Sequence, residues 1–204
     1  IGPCSEGATE YICNNSEITS IPTVDPQPGV KILDLRNNRI SVLKSTLLAS
    51  FVHITTLHLA GNALKSLEGL HVLRSLRLLD VSHNNITRIR RLECLEGLEV
   101  LLIASNDVKK LGCLRMLALN PKLTRLDMRD NPITRHKHYK TRMRQLLPLL
   151  IDLDGEFTSF HVMAQRRGHT TDEERYVMSL LPPPPPSPSF LSSSRVSGTT
   201  GYAA

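Results

Sequence analysis

Leu79–Leu98 runs LDVSHNNITRIRRLECLEGL, with apolar residues at Leu79, Val81, Ile86, Ile89, Leu92, Leu95 and Leu98. Leu79 and Val81 are two apart, the spacing of a short strand that buries one face. From Ile86 onward the apolar residues recur every third position and cover the same core from its far side. Asn84 stands between the two patterns, where its amide can satisfy backbone groups that a tight turn leaves unpaired. The same opening recurs as LDLRNNRI from Leu33, LHLAGNAL from Leu57, LLIASNDV from Leu101 and LDMRDNPI from Leu126. The turn residues are Asn38, Asn62, Asn84, Asn106 and Asn131, at spacings of 24, 22, 22 and 25 residues. YICNNSEI, from Tyr11, is a weaker copy with Ser16 in the Asn slot. One such unit cannot bury its apolar face alone, so the copies must stack, each covering the next.

Five copies of L-x-L-x-x-N-x-L, with Val, Ile or Met allowed at the apolar slots, resemble the leucine-rich-repeat family over roughly residues 11–156. The resemblance implies an α/β fold: a right-handed, curved solenoid of about six repeats with a helical C-terminal cap and an extended tail. The 22-residue spacing and the L-x-x-L convex segments resemble the intracellular subclass typified by the protein phosphatase-1 regulatory repeat protein. The stretch NPKLTRLDMRDNPITRHKHYKTRMRQLLPLLIDLDGE, residues 120–156, is similar to the cap of the spliceosomal A-prime protein and of the outer-arm dynein leucine-rich-repeat light chain. It predicts a basic helix from about His136 to Leu147. Leu146, Leu147, Leu150 and Leu153 would seal the apolar end that the last repeat leaves open. At the other end, C-x8-C followed by ITSIP resembles part of the N-terminal cap of secreted leucine-rich-repeat proteins. There the resemblance allows a Cys4–Cys13 disulfide without requiring it.

The chain divides into an N-terminal cap with the degenerate first repeat (1–29), the repeats with their C-terminal cap (30–156), and a tail (157–204). Thr171-x-x-Glu174 in the tail has the form of a capping box, opening a short helix from Asp172 to Leu181. Tyr176, Val177, Leu180 and Leu181 would share one side of it, either packed on the solenoid or docked on another subunit. Pro182–Pro186 then favour an extended, stiff segment.

Among 204 residues, 25 Lys and Arg face 19 Asp and Glu, a net charge of +6 that suits an acidic partner without demanding one. Aromatic residues make up 4% and Trp is absent, so the core is aliphatic. No apolar run approaches the roughly 18 residues that span a bilayer. The absence of C-x-x-C argues against the common zinc and thioredoxin arrangements, and Cys94 and Cys113, inside leucine-rich runs, are expected to be buried free thiols. His136-x-His138 lacks a companion carboxylate or thiol cluster and fits a basic cap helix better than a metal pair. There is no G-x-S-x-G elbow, no G-x-x-x-x-G-K-S/T loop and no G-x-G-x-x-G, so neither catalysis nor a cofactor is expected.

Side chains between the repeat leucines must face away from the core, onto the strand face. The candidate partner-binding residues are therefore Asp34 and Arg36, His58, Leu78 and Asp80, Val100 and Leu102, and Arg125, Asp127 and Arg129. Leu78, Val100 and Leu102 form an expected exposed apolar centre beside Ala60 and Ala104, suited to a partner helix. A second, basic stripe follows the turn Asn residues. It consists of Arg88, Arg90, Arg91, Lys109 and Lys110, with Arg135, Lys137 and Lys140 toward the cap. The near absence of exposed aromatics disfavours direct nucleic-acid recognition. The resemblance implies a protein-interaction scaffold. The preferred setting is a structural or adaptor subunit of a ciliary or axonemal assembly, with tubulin or other axonemal proteins as partners. A nuclear, spliceosomal subunit holding a partner helix is the alternative, and a phosphatase regulator or secreted binder follows.

Overall fold

The structure, a computed structural model, describes residues 4–25 and 27–157. Tyr176, Val177, Leu180 and Leu181 of the expected tail helix lie outside these residues. Among the described residues nine short strands form one sheet in chain order: β1 (Ser5–Glu6), β2 (Glu10–Ile12), β3 (Ile32–Asp34), β4 (Thr56–His58), β5 (Leu78–Asp80), β6 (Val100–Leu102), β7 (Arg125–Asp127), β8 (Asp152–Leu153) and β9 (Glu156–Phe157). β2 to β8 run parallel, while β1 and β9 close the two ends antiparallel. The ladder thus holds seven parallel strands where about six repeats were expected, because Asp152–Leu153 of the cap continues it as β8. The register joins Tyr11, Leu33, Leu57, Leu79, Leu101, Leu126 and Leu153 in one column, all buried, which is the repeat read from the leucines.

The far side of the core is lined mostly by 3-10 turns, at Leu70–Val72, Leu92–Cys94 and Leu111–Leu119. A three-residue apolar period is the period of a 3-10 turn, and within the stretch from Ile86 to Leu98 such a turn forms at Leu92–Cys94. Two α-helices occur among the described residues. α1 spans Ser45–Leu48 in the first 24-residue copy, and α2 spans Tyr139–Leu146 in the cap. α2 begins three residues later than the expected His136, because Pro132–Arg135 takes its own 3-10 turn and His136 ends it in extended backbone. Leu147, Leu150 and Leu153 are buried in the cap as expected. Leu146 is only half-buried, and Tyr139 and Met143 from α2 complete the seal. Cys94 and Cys113 are half-exposed rather than buried; on their turns the buried positions are taken by Leu92, and by Leu114 and Leu117. Cys4 and Cys13 are joined in a disulfide that ties β1 to β2.

The turn asparagines bind neighbouring repeats together. Asn84 Nδ2 donates to the carbonyls of Leu59 (3.0 Å), one repeat back, and Val81 (3.0 Å), while its Oδ1 accepts the Leu64 N–H (2.9 Å). Asn106 and Asn131 repeat the arrangement one and two repeats on. Three successive strand-end carbonyls therefore receive two side-chain amides apiece: Asn62 and Asn84 at Leu59, Asn84 and Asn106 at Val81, Asn106 and Asn131 at Ile103. Asn120 does the equivalent work on the opposite side, donating to the carbonyls of Leu92 (2.8 Å) and Leu95 (3.0 Å).

Candidate interaction surface

The register sets the outward side chains of the sheet in rows. One row is Ile32, Thr56, Leu78, Val100, Arg125 and Asp152; the next is Asp34, His58, Asp80, Leu102 and Asp127. A third, just past the strands, is Arg36, Ala60, Ser82, Ala104 and Arg129, held by bonds such as Gly61 N–H to the Ser82 carbonyl and His83 N–H to the Ala104 carbonyl. The sequence placed these residues on one face, and the structure brings them together there.

The two ends of this face neutralise themselves. Arg36 forks onto Asp34 at 2.9 and 2.7 Å, and Arg129 onto Asp127 at 3.0 and 2.6 Å. Both carboxylates are buried, at 5% and 6% exposure, so neither stands out to meet a partner. Burial pushes the Asp34 carboxyl up, but hydrogen bonds from the Arg36 guanidinium, the Arg36 N–H and the Asn14 amide outweigh it and hold the group below its ordinary value. The pairing follows from an Asp two residues before an Arg on an extended chain, where alternate side chains share a face. Such pairs contribute little stability at a surface, but a bidentate fork fixes the orientation of the guanidinium.

The centre is different. Leu78 and Leu102 are half-buried, and Ala60, Ser82 and Ala104 leave shallow ground beside them. Val100, expected to be exposed with them, is 2% exposed. It lies in register between Leu78 and Arg125, and the Arg125 side chain is itself drawn in toward Asp152 at 3.3 Å. His58 Nδ1 stands 3.8 Å from Asp80 Oδ2, too long for a hydrogen bond but close enough for a charge effect. Burial pushes the Asp80 carboxyl up, and the His58 imidazole and the Ser82 N–H draw it below its ordinary value.

Arg77 and Glu99 escaped the sequence reading. They lie one residue before β5 and β6, 22 positions apart, and pair at 2.8 and 2.7 Å. The signal was present: opposite charges at the same slot of adjacent repeats must be neighbours across the ladder. Every arginine on this face, Arg36, Arg77, Arg125 and Arg129, is thereby engaged by a carboxylate.

The basic rim is arranged otherwise. Arg88, Arg90, Arg91, Lys109, Lys110, Arg135 and Lys137 are exposed, and none forms an ion pair with a described residue. Lys140 is the exception, paired with Glu156 of β9. Lys140 and Glu156 also line a shallow pocket of about 570 Å³ with Arg129, Asp154, Ser105 and His83. Burial raises the Asp154 carboxyl above its ordinary value, against the pull of the Met128 N–H at 2.7 Å. The rings of His136 and His138 lie 6.2 Å apart, tilted by 56°. Among the described residues, no group of three or more His, Cys, Asp or Glu side chains is placed to hold a metal, and no helix is long and apolar enough to cross a membrane.

Residues 17–169 match the leucine-rich repeat family. The human U2 small nuclear ribonucleoprotein A' is 33% identical over 127 residues, covering 60% of this chain and 48% of that protein. Dynein axonemal assembly factor 11 of Trypanosoma brucei brucei is 38% identical over 100 residues, covering 49% of this chain and 26% of that protein. The chain thus spans between about a quarter and a half of the length of these curated relatives. Among solved structures, the Drosophila melanogaster SNF/U2A' complex aligns with a TM-score of 0.59 at 25% identity, over 82% of this chain and 95% of that one.

Proposed function

The chain belongs to the leucine-rich-repeat family, and from that premise we propose that it is a non-catalytic scaffold that seats a partner helix across Leu78 and Leu102. The observation carrying this reading is the contrast along the sheet face. Its ends consume their own charges, while its centre offers two half-buried leucines bordered by alanine and serine. An apolar patch rimmed with polar groups is the usual mark of a protein-binding site. An amphipathic helix with apolar anchors at i, i+3 or i+4 and i+7 matches a shallow trough of this kind. A strongly acidic helix is disfavoured there, because the arginines it would need are already engaged.

The setting we favour is a structural or adaptor subunit of a ciliary or axonemal assembly, with tubulin or another axonemal protein as partner. The likeness to a dynein axonemal assembly factor supports it. The likeness to the U2 small nuclear ribonucleoprotein A', and to U2A' in complex with SNF, supports the nuclear alternative equally. Tagging the protein in its native cell, extracting with mild detergent and imaging separates the two. Retention along the cilium is the expected result, and a nuclear signal refutes the ciliary setting. Leu102→Glu, in the middle of the trough, should abolish partner co-purification while leaving the circular dichroism spectrum intact. Undiminished co-purification refutes the trough itself.

A further inference from the structure

The unpaired cations of the rim are in register. The backbone fixes Leu64, Ile86, Val108 and Ile133 in one column through Asn85 N–H to the Leu64 carbonyl, Asp107 N–H to the Ile86 carbonyl and Ile133 N–H to the Val108 carbonyl. The residues that follow form two outward columns. One is Lys65, Thr87, Lys109 and Thr134, and the other is Ser66, Arg88, Lys110 and Arg135. Lys65, Arg88, Lys109, Lys110 and Arg135 are all exposed, and none has an ion-pair partner among the described residues. A cleft of about 300 Å³ opens on this stripe, lined by Lys65, Ser66, Thr87, Arg88 and Arg90, with Glu68 as its one carboxylate.

The geometry points to a second docking surface, for a carboxylate-rich peptide running across the repeats along Lys65, Arg88, Lys110 and Arg135. On the sheet face each arginine has its carboxylate; on this stripe the exposed cations have no carboxylate partner among the described residues, which leaves them able to pair with an anionic ligand. Neighbouring strands stand about 4.8 Å apart, so a crossing peptide meets a new cation at roughly that step. Same-side residues of an extended chain are about 7 Å apart, and Lys and Arg side chains are long and flexible enough to take up the difference. The hydroxyls of Ser66 and Thr87 add donors for carboxylate oxygens in the cleft. A peptide is favoured over RNA because the stripe has no exposed aromatic on which a base could stack. This surface is separate from the trough at Leu78 and Leu102, and its occupancy does not depend on a helix being seated there.

The test is fluorescence anisotropy of a labelled octaglutamate peptide with the full chain, at low and at physiological salt. The expected result is saturable binding at low salt that weakens as salt rises. Arg88→Glu with Lys110→Glu should weaken it tenfold or more, and Arg88→Gln with Lys110→Gln by a smaller factor. Arg74→Glu with Lys122→Glu, two exposed cations off the stripe, makes the same change in net charge and should stay within twofold of the parent protein. Equal losses in the two charge-reversed variants would mean that net charge alone binds the peptide, and would overturn the proposal. So would failure of the parent protein to bind at low salt. Displacement of the peptide by an unstructured oligouridylate at a lower concentration of charge than by unlabelled octaglutamate would assign the stripe to nucleic acid instead.

Discussion

Asn84→Ala tests the idea that shared amides hold the repeats in register. Asn84 is buried and makes its bonds in two directions, to Leu59 and Leu64 one repeat back and to Val81 of its own repeat. The losses are unequal. The Leu59 carbonyl keeps Asn62 Nδ2 at 2.9 Å, and the Val81 carbonyl keeps Asn106 Nδ2 at 3.0 Å. The Leu64 N–H keeps nothing, since Asn84 Oδ1 is its one acceptor among the described residues. A buried donor left unpaired costs about 1–3 kcal/mol, and two weakened carbonyl contacts add a smaller sum, for a total of about 2–4 kcal/mol. At this chain length that lowers Tm by roughly 5–15 °C. Asn62→Ala is the comparison. Asn62 is only half-buried, so water can reach the Ile40 N–H that its Oδ1 accepts at 3.0 Å, and the cost should be half as large or less. Urea titration followed by circular dichroism reads both as shifts in midpoint. If Asn84→Ala costs under about 0.5 kcal/mol, or no more than Asn62→Ala, the shared-amide account of repeat coupling is wrong.

Other expectations follow from single side chains. Leu101 is fully buried beside the half-exposed Leu102, so Leu101→Glu should lose the cooperative unfolding transition altogether, where Leu102→Glu retains it; a buried unpaired charge costs several kcal/mol, a large part of a small domain's stability. The Asp34 carboxyl is held below its ordinary value in the fold. Its contribution is therefore complete above the unfolded-state value of about 3.9 and is lost as pH falls through the lower folded value. Thermal melts in acid should show that loss, and Arg36→Ala should flatten it. Asp154 has the opposite sign: burial raises its carboxyl, so its ionised form opposes folding at neutral pH. Asp154→Asn keeps an oxygen for the Met128 N–H and tolerates the left-handed backbone at φ 60°, so it should raise Tm at neutral pH, by less as the solution is acidified; a lower Tm at neutral pH would refute this. Reducing the Cys4–Cys13 disulfide should destabilise the N-terminal end by about 2–3 kcal/mol on the chain-entropy account, seen as a lower midpoint in dithiothreitol that a Cys4→Ser, Cys13→Ser variant no longer shows.

The strands and their register were legible because a two-residue apolar period followed by Asn repeats in the sequence with every stacked unit. Outward direction was legible for the same reason, which is how Leu78, Leu102 and the rim cations were placed. Exposure was not. Val100 and Leu78 hold the same slot of adjacent repeats, yet Val100 is buried and Leu78 only half-buried, a difference set by neighbouring side chains that the repeat pattern does not encode. Asp34 and Asp127 read as partner-binding charges of the strand face until the two-residue offset to Arg36 and Arg129 is taken as a pairing distance. The start of α2 was misplaced because the Pro132 turn and the helix share one basic composition across residues 132–146. The bridging role of Asn120 carries no repeat signal, since the longest repeat interval, 25 residues, contains it only once.

The antiparallel strands at the two ends of the ladder bear on how copies of this chain meet one another. A purely parallel ladder has two unlike edges, one complementary to the other, so a second molecule could add to the first in the same polarity, a third to the second, and so on without closure. Among the described residues β1 and β9 each reverse the chain at an edge of the ladder, so both edge strands point against the stack. Each of these edge strands is two residues long, so it offers a neighbouring molecule few unpaired backbone groups on which to extend the ladder. Short edges of this kind are one means by which sheet proteins blunt edge-to-edge association.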